Sequence, residues 1–437
     1  MFRIVRRGLL HNYLYTITPK QTFLTNEYKC NDAWNIQATS SILNNLNLHE
    51  FYNILDQNFS AKGVISAIDV DVFANAVKDQ SYIEELKDLL NRLRLSAETG
   101  NTLESTHHAA VRKYMEFGKI QELVNILKEP LNFGLFLDYY TANILLDQLL
   151  TSQNYELAAE VASIVMLQED FSNDITCALC QYAAYKYLST VEAKPEQQIA
   201  PPDNAKVEVK KIRIKFLRNE YFDDHFDIKD KVLLSGKTLA LMSKTSNNNL
   251  NNNLQIIGLL FYKKYDKLLD TCESMSNEKS FKIYNEVLDI INKESNNIDD
   301  STKGLLDKCA NILSKSPRSE VALEESIKIS IENAINRVQN KDIATQQELF
   351  KNWAITRKAK LEEQAARLDR TKRMLFIEEQ QKTMEEKEQK LWFFENEEQI
   401  DLEIEKKKKL EDSSAANEQK KIDDTYIPPE ILPKQRK

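Results

Sequence analysis

Apolar residues recur at three- and four-residue intervals along nearly the whole chain after residue 40. Ile42, Leu43, Leu46 and Leu48, followed by Phe51, Ile54 and Leu55, set this pattern, which predicts amphipathic helices. Superposed segments reveal a period. Ile83 to Leu90 aligns with Ile120 to Leu127, and that segment aligns in turn with the run starting at Tyr155, at shifts of 35 to 37 residues. A further amphipathic segment precedes each: Val70 to Lys78, Thr106 to Phe117 and Tyr140 to Leu150, with a fourth opening at Thr176. Two helices per period describe a helical-hairpin solenoid, in which each hairpin exposes an apolar face that only its neighbour covers.

Breaks in the pattern predict the remaining organisation. Val191 to Asp203 holds Pro195, Pro201 and Pro202 and reads as a linker. Val207, Val209, Ile212, Ile214 and Phe216 then nearly alternate with cationic residues, as an exposed strand does. Helical spacing resumes near Lys231. From Arg318 to Ile427 there is neither glycine nor proline, and half of Lys351 to Asp412 is charged. A helix that polar all round is a long projecting helix or a coiled-coil arm. Its apolar seam, Leu361, Ala365, Leu368 and Leu375, stops at Glu379 and Lys382, too early for a long self-associating coil. The expected division is 1–26 targeting segment, 40–190 repeats, 191–230 linker with basic strand, 231–340 second helical region, 341–420 charged helix and 421–437 disordered tail.

Composition agrees with an all-α chain. Only 8 glycines and 9 prolines occur in 437 residues, too few for the turns of a sheet-rich fold. The longest apolar run, Ile256 to Tyr262, falls far short of the ~20 residues of a membrane span, so no such span is expected. Five cysteines without regular spacing give no disulfide framework. The net charge is −8, yet Met1 to Asn26 contains no acid and carries Arg3, Arg6, Arg7 and Lys20 among apolar residues. An acid-free, arginine-bearing amphipathic start is the pattern of a mitochondrial transit peptide; an ordinary basic N-terminus is the alternative. The acidic remainder is a poor non-specific nucleic-acid binder, so any RNA contact must come from local patches.

Leu137-Asp138-Tyr139-Tyr140-Thr141-Ala142-Asn143 through Leu149 resembles the opening of a pentatricopeptide repeat, with Leu137 in place of the usual proline and Ala142 in place of the usual tyrosine. Asn154 to Met166 is similar to the second helix of such a unit. More specifically, Asn132-Phe133-Gly134-Leu135-Phe136, Asn143 to Asp147, Gln153-Asn154-Tyr155 and Val165 to Glu169 resemble the pentatricopeptide-type proteins of the animal mitochondrial small ribosomal subunit. The similarity is clear over about a quarter of the chain and one of arrangement elsewhere. What the resemblance implies is a non-catalytic component of the matrix that contacts small-subunit ribosomal RNA and neighbouring ribosomal proteins.

No constellation competes with this for chemistry. Ser235-Gly236-Lys237-Thr238 matches the end of a phosphate-binding loop, but Lys231 stands where its first glycine belongs; a place at a helix start or turn is expected instead. Cys177 and Cys180 form a lone C-x-x-C inside a helical stretch, read as two small core residues. His107 and His108 are adjacent and diverge by about 100° on a helix, so they chelate no metal together. No catalytic residues, cofactor or small-molecule substrate are expected.

Candidate contacts fall into three groups. The resemblance implies that one base is read per unit by side-chain pairs, Asn143 with Asn173 and His108 with Asp138; two or three units make a short footprint, which favours capping or protein-facing roles for these four. Lys206, Lys210, Lys211, Arg213, Lys215 and Arg218 surround a single acid, Glu208, and suit phosphate neutralisation or an edge strand kept soluble by lysines. Trp353, near the base of the charged helix, and Leu391, Trp392, Phe393 and Phe394, near its far end, are expected to dock onto a partner. Two rivals stand beside the ribosomal reading: a free matrix RNA-binding factor acting on transcripts, and a coiled-coil adaptor without RNA.

Overall fold

The computed structural model describes residues 22–191 and 228–423, apart from 247, 279–280, 296–299 and 393–395. The basic segment 206–218, Phe393, Phe394, nearly all of the N-terminal basic segment and the 424–437 end of the tail therefore lie outside the described residues. Those described form eighteen helices, α1 to α18. Beyond a single two-residue parallel bridge, Ile283 with Arg318, no strand pairing occurs among them.

Residues up to Lys358 make one compact unit and those from Ala359 a second. In the first, the short α1 (Asn31–Ala38) and α2 (Ser41–Asn44) and the longer α3 (Leu48–Lys62) precede a run of paired helices. The pairs are α4 (Ala67–Ala76) with α5 (Ile83–Leu95), α6 (Glu104–Glu116) with α7 (Ile120–Leu127), and α9 (Tyr139–Thr151) with α10 (Tyr155–Leu167), α8 (Pro130–Phe133) being a single turn between pairs. Three more follow: α11 (Asp174–Thr190) with α12 (Lys231–Ser243), α13 (Asn249–Phe261) with α14 (Tyr265–Ser276), and α15 (Asn285–Ser295) with α16 (Asp300–Leu313). First helices touch in succession, α4, α6, α9, α11, α13 and α15. Among second helices α7, α10 and α12 do likewise, as do α14 and α16. The period read from the sequence thus continues past the proline-rich stretch: α11 and α12 pack directly on each other, so residues 191–230 connect two helices of one hairpin.

Backbone geometry repeats with the pairs. Gly118, Gln153 and Lys263 all take positive φ, between +58° and +72°, each two residues before a second helix. In each the following amide donates to a carbonyl five residues back, Lys119 to Tyr114, Asn154 to Leu149 and Lys264 to Leu259, at 3.0–3.3 Å. This left-handed closure satisfies carbonyls orphaned at a helix end. Two first helices, α9 and α11, start at polar caps: the Asp138 carboxylate accepts from the Thr141 amide, and Asn173 Oδ1 from those of Ile175 and Thr176.

Ser235-Gly236-Lys237-Thr238 sits within α12, not in a loop. A Cβ on Gly258 of α13 would lie 2.4 Å from the Ala240 nitrogen, and one on Gly236 would lie 2.8 Å from the Phe261 carbonyl carbon. The two glycines let these backbones touch. Cys180 is buried and Cys177 half-buried in α11, and among the described residues no His/Cys/Asp/Glu group fit for a metal occurs. No described helix is long and apolar enough to cross a membrane.

Helix α17 (Leu323–Leu391) has 69 residues. Up to Lys358 it belongs to the first unit and buries a stripe, Leu323, Ile327, Ile331, Ala334, Ile335, Asp342, Gln346, Phe350 and Arg357. In the second unit, the rest of α17 and α18 (Glu397–Asp423) bury no side chain among those described.

Candidate functional site

The side chains that bear chemistry gather on the face formed by the first helices of the hairpins. There, α17 lies along a groove and is fastened to α15, α11, α6 and α4. Near its start the Leu323 amide donates to Glu286 of α15 (3.1 Å), and Glu324 accepts from Lys186 of α11 (2.8 Å) and the Tyr182 hydroxyl (3.3 Å). Farther along, Arg337 meets Asp174 (2.6 Å) where α11 begins. Asp342 Oδ2 accepts from Asn173 Nδ2 (2.9 Å) and the Tyr28 hydroxyl (3.1 Å). Phe350 and Trp353 enclose the His108 ring, centroids 5.2 Å away in both cases, and Trp34 closes its other side at 5.3 Å. At the end, Arg357 Nε donates to Asp71 Oδ2 of α4 (2.6 Å), with 3% and 0% of the two side chains exposed. At 1.5 Å per residue these fastenings span about 50 Å.

Residues 22–38 complete the filling. The Phe23 and Leu24 amides donate to the Asp147 carboxylate (2.8 and 3.3 Å), and Leu24, Tyr28, Cys30 and Trp34 are buried. Arg112 Nη2 donates to the Lys29 carbonyl and to Asn31 (2.6 and 2.7 Å), and its guanidinium lies 4.9 Å over Trp34. Burial lowers the Arg112 pKa to about 10, against the pull of Cys30 and Glu116. Asp71 also accepts from Asn75, Thr106 and Ser105, so its carboxylate is ringed by donors.

The four residues expected to read bases are all here, bonded in two pairs, with Asp138 half-buried. His108 Nδ1 donates to Asp138 (2.8 Å). Asn143 Nδ2 donates to the Tyr28 oxygen (2.8 Å) and to Asn173 Oδ1 (3.5 Å). His108, Asn143 and Asn173 are buried. Although burial pushes the Asp138 carboxyl up, the His108 charge and the His108 and Thr141 hydrogen bonds outweigh it and hold it below the ordinary range. The chain's own helix and N-terminal segment occupy the face, where Asp138 and Asn173 cap helices and His108 and Asn143 bond to other protein side chains. Trp353 is half-buried and packs on His108 and Phe350 inside the first unit. Leu391 (81% exposed) and Trp392 (51%) are open in the second unit. Sequence reasoning missed Tyr28, Asp71, Asp342 and Arg357. The signal for the last two was the stripe itself, since Leu323, Ile327, Ile331, Ile335 and Phe350 keep helical spacing and polar residues interrupt it.

Fold and site together define an all-α helical-repeat protein whose repeat groove is filled by its own chain. Residues 1–390 match the family MRP-S27, described as mitochondrial 28S ribosomal protein S27. The chain belongs to this family and is a mitochondrial small-subunit ribosomal protein.

Proposed function

We propose that the protein is a non-catalytic structural component of the mitochondrial small ribosomal subunit, working in the matrix, where it contacts ribosomal RNA and neighbouring ribosomal proteins in support of mitochondrial translation. The observation that carries this reading is the family match across residues 1–390. The filled groove supports scaffolding over the free transcript-binding alternative, because a reader of single strands needs an open face. RNA contact is assigned to Lys206, Lys210, Lys211, Arg213, Lys215 and Arg218, whose charge suits phosphates without reading bases, and partner docking to the exposed Leu391 and Trp392. The import role is assigned to the acid-free segment Met1 to Asn26, of which Phe23 and Leu24 donate to Asp147 in the folded body.

Sucrose-gradient sedimentation of matrix extract tests the proposal. A ribosomal component moves entirely with the small subunit, whereas a pool left at the top of the gradient supports a free factor. Alanine at Lys210, Lys211, Arg213 and Lys215 is expected to weaken association and to flatten its salt dependence by about one unit of slope per lost phosphate contact. An unchanged slope would return that segment to a solubility role.

A further inference from the structure

The last two hairpins meet along a narrow seam between their second helices. Helix α14 packs on α16, and each buries a short stripe: Leu268, Cys272 and Met275 on α14, and Leu306, Cys309 and Leu313 on α16. A cysteine stands at the centre of both stripes, with none of its surface exposed. The two lie 37 residues apart, one repeat period, so they occupy the same level of the stack on successive second helices. Their thiols are hydrogen-bonded, Cys272 donating to the Cys309 sulfur. Among the described residues no third ligand joins them to hold a metal. Two adjacent sulfurs can instead bond to each other.

The pair is also set apart chemically. Burial pushes the thiols of Cys30, Cys177 and Cys180 up, which makes them inert. At Cys309 the hydrogen bond from Cys272 outweighs burial and holds the thiol below its ordinary range. Cys309 is thus the nucleophile of the pair and Cys272 its protonated neighbour. Access follows from position, because α16 belongs to the last hairpin, packs chiefly on α14 and α15, and terminal elements open at low free energy.

From this juxtaposition we propose that Cys272 and Cys309 are an oxidation site, closed to a disulfide by a hydroperoxide, that ties the last two hairpins together. Cys309 gives up its proton and its sulfur attacks a peroxide oxygen; an S–O bond forms, the O–O bond breaks, and the departing hydroxide takes up that proton as water. The Cys272 sulfur then attacks the Cys309 sulfenic acid; the S–S bond forms, the S–O bond breaks, and hydroxide leaves with the Cys272 proton as a second water. Two thiols and one hydrogen peroxide give one disulfide and two waters, each sulfur losing one electron and the peroxide gaining two. The new bond bridges hairpins and so strengthens the coupling between units. It lies beside α15, whose Glu286 receives the Leu323 amide at the start of α17.

The test exposes the reduced full chain to hydrogen peroxide without denaturant, blocks the remaining thiols with N-ethylmaleimide in denaturant, and maps the tryptic peptides by mass spectrometry. Peptides 268–279 and 309–315 should appear linked, two hydrogen atoms lighter than their sum, and separate again in dithiothreitol. Hydrogen exchange in α14 and α16 should slow at least about tenfold on oxidation. Cys272→Ala should leave a Cys309 sulfenic acid that dimedone traps, whereas Cys309→Ala should leave Cys272 unmodified. Wild-type protein in which both cysteines end as maleimide adducts, or in which either is linked to Cys30, Cys177 or Cys180 instead, overturns the proposal. Should the variants fail to fold, the wild-type map decides by itself, a Cys272–Cys309 link supporting the site and its absence removing it.

Discussion

Replacing Gly258 with alanine sets two effects of known sign against each other. Inside a helix, alanine is favoured over glycine by about 1 kcal/mol, because it restricts the unfolded chain and lacks glycine's backbone entropy. At Gly258 the new methyl would lie 2.4 Å from the Ala240 nitrogen, 2.8 Å from its Cα and 2.9 Å from its Cβ. All of these are held by the α12 backbone, so no side chain can swing aside. Restoring ordinary contact requires α12 and α13 to part by roughly 1 Å, a gap that forfeits a quarter to a half of the dispersion energy of each facing atom pair. Overpacking of this kind costs about 3 kcal/mol, at the upper end of its usual range, and the net loss is about 2 kcal/mol. Gly304 of α16 serves as the internal control, because nothing lies within 4 Å of its missing Cβ and Gly304→Ala should stabilise by about 0.5–1 kcal/mol. Thermal unfolding of the full chain, followed by circular dichroism, should thus move in opposite directions for the two variants. If Gly258→Ala melts at or above the wild-type temperature, the backbone contact between α12 and α13 is not as described.

Three other outcomes are expected. Arg357→Met leaves a buried carboxylate without its cation and should cost about 3–5 kcal/mol in the opening free energy of 345–358 by hydrogen exchange, most of it recovered in the Asp71→Leu/Arg357→Met pair; a single variant as stable as wild type would show the pair to be unimportant. Burial pushes the Glu160 carboxyl up, but hydrogen bonds from Lys128 (2.7 Å) and Lys231 (2.8 Å) prevail and leave it below its ordinary 4.5; its contribution is therefore complete above that value and lost as the pH falls through the lower folded-state value, so Glu160→Gln should flatten the acid limb of a pH-stability curve. Changing Arg3, Arg6 and Arg7 to glutamate should hold a fluorescently tagged protein in the cytosol, and undisturbed delivery to mitochondria would remove the targeting role from that segment.

The hairpins were legible because their causes are local. Ile83–Leu90, Ile120–Leu127 and Tyr155–Met166 show an apolar face at helical spacing and fall within α5, α7 and α10. The return of α17 was not. Tyr28 and Asp342 are 314 positions apart and Asp71 and Arg357 are 286 apart, and nothing in the periodicity of either partner names the other. Polar residues at the buried positions 342, 346 and 357 also dilute the stripe, so the stretch from 341 onward reads as a charged arm although Phe350 and Arg357 are interior. The pairing of α11 with α12 was hidden for a different reason: a proline-rich stretch looks the same whether it joins two packed bodies or two helices of one hairpin. Asn143 and Asn173 touch each other, and their other partners, Tyr28 and Asp342, come from the distant segments that cover them.

The recurring left-handed turn has a consequence for how the array comes apart. Gly118 adopts that conformation without penalty, whereas Gln153 and Lys263 hold it with side chains that resist it. The stability of a repeat array is approximately a sum of unit terms and nearest-neighbour couplings. Glycine at 153 would therefore strengthen one hairpin and glycine at 263 another, each by about 1 kcal/mol, without touching the couplings between them. The three turns act as separate weights on a one-dimensional chain of units, and their distribution decides where fraying starts and how far it travels before the array loses cooperativity.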